Sequence, residues 1–128
     1  MIFKILLLMI LCHVVDDFVL QPTCLSKLKQ RKWWLDNGIT DSLYENDYKV
    51  ALLIHSMSWS IMIMLPLMFL TEVNTFSLMC MFFINTTVHY ITDDCKANKL
   101  MINLITDQSI HMLQILITWC YLTINIIC

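Results

Sequence analysis

The chain has 128 residues, of which 59% are apolar and only 14% charged, and its formal net charge is −2. That balance excludes an ordinary soluble domain and predicts one membrane domain over 1–128, while no basic excess exists to argue for nucleic acid, and none is expected as a partner. Six cysteines could suggest a disulfide framework. However, Cys12, Cys80 and Cys120 fall inside apolar runs and no CxxC pair occurs, so they read as small apolar residues, with a thiolate metal site at Cys12 or Cys95 as the alternative.

The first apolar run, 2–20, is just long enough to cross a hydrocarbon core of about 30 Å. It stops at Gln21-Pro22, because proline disfavours helix at the residue before it. It lacks a small-residue cleavage pattern, and Leu11 before Cys12 spoils a lipoprotein-type site, so it reads as a retained membrane segment. Asp16 and Asp17 sit in its last turns, where the helix dipole disfavours anions, and their presence there calls for another reason.

From 23 to 47 the chain turns polar. Lys27, Lys29, Arg31 and Lys32 precede Trp33-Trp34, which predicts a short basic amphipathic helix on anionic headgroups; a solvated linker is the plainer reading. Asp36-Asn37-Gly38 marks a turn. The second span, 48–70, carries His55, Ser56, Ser58 and Ser60, with Pro66 as a candidate kink. A very short connection at Glu72-Val73-Asn74 returns the third span, 75–92, antiparallel, and this span contains Asn85, Thr86, Thr87 and His89 before Asp93-Asp94. After a mixed connection with Lys96, Asn98 and Lys99, Thr106 or Asp107 caps a fourth span, 107–127. The predicted fold class is all-α, an antiparallel bundle of four transmembrane helices.

Three of the four histidines stand four residues from an aspartate: His13 with Asp17, His89 with Asp93, and Asp107 with His111. Residues four apart lie about 40° apart around a helix axis, so each pair presents imidazole and carboxylate to one neighbour. Seven of the eight Lys and Arg (Lys27, Lys29, Arg31, Lys32, Lys49, Lys96 and Lys99) cluster around the first and third connections, with Lys4 the exception. The positive-inside rule therefore predicts both connections in the cytoplasm and both termini outside, in a bacterial inner membrane. This topology brings all four histidines to one level, at the cytoplasmic side.

Ionisable groups inside membrane spans are functional by default, although hydrogen bonding within one helix could also satisfy each pair. The leading expectation is a centre for Zn, Mn or Fe with His13, His55, His89, His111, Asp17, Asp93 and Asp107 as candidate ligands. Seven ligands exceed one tetrahedral ion, so either two ions share the site or some carboxylates act by orienting an imidazole, a role also open to Asp16, Gln21 and Gln108. A metal with an open position brings the pKa of water toward about 7, making Asp17, Asp93, Asp107 and Lys96 the candidate catalytic groups for hydrolysis. Lys96 and Lys99, with the basic stretch, could hold a lipid or phosphorylated substrate. Two other readings stay open: haem ligation, which would need histidines at both levels, and proton or cation transport.

The series His13-x-x-x-Asp17-Phe18-Val19-Leu20-Gln21, an isolated His55, His89-x-x-x-Asp93-x-x-Lys96 and Asp107-Gln108-x-x-His111 resembles a family of small bacterial and phage membrane proteins, the domain of unknown function DUF3307. The resemblance implies a multi-span membrane fold and marks His13, Asp17, Gln21, His55, His89, Asp93, Lys96, Asp107, Gln108 and His111 as the positions that matter. The histidines and aspartates at helix ends are also more loosely similar to membrane-bound metal-dependent hydrolases. Asp16, where a small residue would be usual, leaves open which carboxylate of Asp16-Asp17 faces the site.

Overall fold

The computed structural model describes residues 2–21 and 23–127, with the backbone alone at Thr23 and at 125–127; the Pro22 stop signal thus lies outside the described residues. Four long helices carry the chain: α1 (Ile2–Val14), α4 (Asp47–Leu70), α5 (Thr75–Ala97) and α6 (Leu104–Ile127). Two short ones, α2 (Thr23–Leu28) and α3 (Arg31–Asp36), lie between α1 and α4. The long helices pack as a ring in the order α1, α4, α5, α6 and back to α1. Cross-helix bonds set their directions. Ile2 meets Trp119 while His13 meets Gln108, and Ser60 meets Thr86 while His55 meets His89, so ring neighbours run antiparallel.

Helix α1 does not end at Val14 as an ordinary helix would. The backbone widens into a π-helical stretch, Val15–Leu20, which turns Asp16 inward to full burial while Asp17 stays part-buried on the same side. A widened turn of this kind often marks a functional site. Helix α5 is longer than the predicted span: it runs through Asp93-Asp94 to Ala97, so Lys96 lies in its last turn rather than in a loop. Helix α6 begins at Leu104, three residues before Asp107, and the Asn103 side chain accepts from the Thr106 N–H; the cap is therefore Asn103, not Thr106 or Asp107. The Asn37-Gly38 turn forms as expected, with Gly38 at φ +74° where glycine is favoured.

The basic stretch is not one amphipathic helix. The chain folds back at Lys29-Gln30, and Trp34 donates from Nε1 to the Leu28 carbonyl at 2.7 Å, bracing α3 on the end of α2. Asn98, just beyond α5, accepts from the Arg31 N–H and donates to the Lys29 carbonyl, tying this cap over one end of the bundle. As a result Lys29 points into the bundle while Lys27 stays exposed.

The interior is divided lengthwise. An apolar core of Ile5, Met9, Ile63, Leu67, Met81, Ile115 and Leu122 fills the end away from the cap, and the histidines and aspartates fill the end beneath it, with Trp59 between. Outward faces are apolar: Phe3, Leu7, Leu11, Ile54, Ile61, Phe83, Ile84, Leu113 and Ile117 are all exposed. Among the described residues one stretch, Ser42–Leu70, is long and apolar enough to cross a membrane, where four were expected. Helix α1, at 13 residues, is too short, and α5 and α6 carry inward-facing polar residues, such as Asn85, Thr86, Gln114 and Thr118, that dilute their apolar character.

Candidate metal centre

All four histidines are buried and within reach of one another. His89 stacks on His111 with ring centroids 4.2 Å apart, His55 lies 5.0 Å from His89, and His13 lies 5.9 Å from His111. The four come from four different helices, so the bundle, not any local loop, assembles them. Two groups of three side chains have donor atoms close enough to share an ion: Asp17, His55 and His89, and His89, Asp93 and His111. No cysteine joins them, and the described cysteines are free thiols.

Asp93 is central to the arrangement. Its Oδ2 lies 3.3 Å from His55 Nε2 and its Oδ1 lies 3.5 Å from His111 Nε2, so the two oxygens of one carboxylate face two different imidazoles. On the first side Asp17 Oδ1 lies 3.6 Å from the same His55 nitrogen, and on the second Asp107 Oδ1 lies 3.4 Å from the same His111 nitrogen. His89 Nε2 stands 3.1 Å from His55 Nε2. Two ligand atoms each about 2.1 Å from a tetrahedral ion are about 3.4 Å apart, so these nitrogen–oxygen separations are those of ligand pairs around a metal.

Hydrogen bonding sorts ligands from supports. Trp59 Nε1–H donates to His13 Nδ1 at 2.8 Å, which leaves the proton on His13 Nε2 to be donated to Gln108 Oε1 at 3.1 Å. Gln108 then donates from Nε2 to Asp107 Oδ2 at 3.0 Å. With both ring nitrogens engaged, His13 stands outside the two candidate ligand groups. His111 differs. Gln114 donates to the Asn85 carbonyl, so its Oε1 is the acceptor for His111 Nδ1–H at 3.3 Å. That leaves His111 Nε2 with no hydrogen-bond partner, and Asp107 Oδ1, its neighbour, has none either. Both residues are fully buried, and either a proton shared between them or a bound ion would satisfy both atoms.

The ambiguity at Asp16-Asp17 resolves geometrically. Asp17 faces His13 and His55, whereas Asp16 accepts from Ser58 at 3.0 Å and its Oδ2 is buried without a hydrogen bond. Gln21 lies against the His55 ring, its Nε2 3.2 Å from Nδ1. Lys96 donates to Asp107 Oδ2 at 2.6 Å. Lys99 turns outward to Asp94 at 2.9 Å, and that hydrogen bond raises its pKa above the ordinary lysine value.

Three participants carried little signal in the sequence. Lys29 donates to Asp93 Oδ2 at 2.6 Å, yet it looks like every other lysine of its stretch. Trp59 stacks on His89 at 4.3 Å besides bonding His13; its place four residues after His55 puts it on the same face of α4. Gln114, three residues after His111, could have been found in the same way.

No curated protein and no solved structure matches the chain. A family model does, over residues 5–127, a stretch that takes in every histidine and aspartate of the centre. The chain belongs to the family described as Protein of unknown function (DUF3307).

Proposed function

We propose that the chain is a membrane-embedded, metal-dependent hydrolase acting on a lipid-like or phosphorylated substrate at the cytoplasmic leaflet. One observation carries the reading: His111 Nε2 and Asp107 Oδ1, both buried and neither in a hydrogen bond, face each other at 3.4 Å beside a carboxylate that faces two imidazoles. Membrane embedding is supported by the inverted pattern of the bundle, apolar outside and polar at one end within.

In this reading Asp17, His55 and His89 would hold one divalent ion and His89, Asp93 and His111 a second, with His89 common to both groups and Asp107 beside His111. Zn, Mn and Fe all suit mixed imidazole and carboxylate donors. The bound ions supply Lewis acidity and bring the pKa of water toward about 7. His13, braced by Trp59 and Gln108, orients Asp107, while Gln21 orients His55. The cap of α2 and α3 limits the access of bulk water to the polar end.

The test is elemental analysis of the detergent-purified protein beside His89→Ala and Asp107→Ala variants. Stoichiometric metal in the native protein, reduced in the variants, supports the reading. Repeated metal-supplemented preparations without stoichiometric metal would sink it.

A second reading, proton or ion transport without hydrolysis, is favoured by one feature. From His111 a buried polar string continues through Gln114 and Asn85 to Thr118, away from the cap. It runs into the apolar core around Ile115 and Leu122, which weighs against a continuous path. Proton flux into liposomes reconstituted with the protein distinguishes the two readings.

A further inference from the structure

Between α2 and the last turns of α5 lies a polar cavity of about 350 Å3. Gln21 and Lys29 line it from one side, Asp93 and Lys96 from the other. Because Asp93 also belongs to the His/Asp centre, a ligand in this cavity would touch that centre directly. We infer, on the basis of the metal-centre reading, that the cavity binds the oxyanion of a phosphate group through the ammonium groups of Lys29 and Lys96.

The argument starts from charge. Three carboxylates of the centre (Asp17, Asp93 and Asp107) stand against two ammonium groups, so with neutral imidazoles one negative charge is in excess. In that state each ammonium is committed to a carboxylate at 2.6 Å, Lys29 to Asp93 and Lys96 to Asp107. Two divalent ions would reverse the balance to three positive charges, enough to hold a phosphate dianion. Ions at the centre would compete with the lysines for the carboxylates of Asp93 and Asp107, and like-charge repulsion would turn the ammonium groups away. Both side chains already line the cavity, so rotation of their flexible stems delivers the ammonium groups to it. Charge-assisted hydrogen bonds to phosphate oxygens are about twice as strong as neutral ones, and three donors on each ammonium allow several. Metal and phosphate would therefore each tighten the binding of the other.

Calorimetry with inorganic phosphate tests this on the full chain in detergent, with and without bound metal. The metal-loaded native protein is expected to bind phosphate at least 10-fold more tightly than the metal-free protein. Lys29→Met with Lys96→Met should keep the metal stoichiometry and lose at least 10-fold in phosphate affinity, while Lys49→Met, at an exposed lysine outside the cavity, should match native. Should the double variant fail to fold, the two single variants are each expected to lose part of the affinity. Full metal with unchanged phosphate affinity in the lysine variants overturns this inference and leaves the metal centre standing. Absence of metal from the native protein removes the metal-centre reading and this inference with it. Displacement of phosphate by vesicles containing phosphatidic acid, but not by phosphatidylcholine alone, identifies a lipid headgroup as the source; displacement only by soluble phosphomonoesters identifies a soluble one.

Discussion

The indole of Trp59 lies almost parallel to the imidazole of His89, with centroids 4.3 Å apart and planes 24° apart. The same indole donates from Nε1 to His13, so one side chain fixes the plane of one histidine and the tautomer of another. Trp59→Phe would keep an aromatic surface and remove the donor. Supporting contacts of this kind are worth roughly 10- to 100-fold in metal affinity. A loss in that range, measured by competition with a chelating dye at unchanged helix content, is expected; native affinity would show that His13 needs no brace.

The two oxygens of Asp93 predict how substitutions divide. Asp93→Asn is expected to lower the metal content at both positions, whereas Asp17→Asn and Asp107→Asn should each lower it at one. Asp16→Asn should keep full stoichiometry, because that carboxylate bonds Ser58 instead of facing an imidazole. Metal-to-protein ratios for the four variants check the pattern, and equal losses in all four would contradict it.

Metal binding should weaken with acid. Imidazole must be neutral to ligate, so a falling pH sets protons against metal. The sign is fixed: affinity falls as pH falls, and binding releases protons. Titrations in two buffers of different ionisation enthalpy measure the release. An affinity flat from pH 7.5 to 5.5 would mean that the histidines are not ligands.

Orientation can be read by labelling. With the cap over the histidine end inside the cell, a thiol introduced by Glu72→Cys at the opposite turn should react with an impermeant reagent in intact cells, and one introduced by Asp41→Cys should react only after lysis. With the native cysteines replaced by serine, and both positions exposed, labelling depends on the side of the membrane alone. The reverse pattern would put the centre outside.

Much of this arrangement was legible from spacing. Pairs four apart on a helix, a turn too short for anything but an antiparallel return, and lysines gathered around two connections together brought His13, His55, His89 and His111 to one end. What spacing could not supply depends on contacts between helices. Lys29 enters the centre only because the chain folds back at Gln30 and Asn98 holds it there. The division of labour between His13 and His111 rests on Trp59 and Gln114, neither of which is a ligand type. The length of α5 was underestimated because acidic residues at a helix C-terminus suggest an end; Lys29 and Lys99 offset that charge and the helix continues.

The π-helical turn at Val15–Leu20 has a consequence for how this chain can vary. Such a turn holds, in effect, one more residue than an α-helix of the same rise, so everything after it is rotated by about 100° relative to an unbroken helix. Deleting Val15 would restore regular winding while altering no ligand. Loss of one residue and return to regular winding offset each other beyond the stretch, so Gln21 would keep its facing. Asp16 and Asp17, inside the stretch, would turn about the axis, drawing Asp17 from His55 and Asp16 from Ser58. At this point the centre depends on a count of residues as much as on their identity, and a deletion far milder in chemistry than any aspartate substitution would dismantle one half of it.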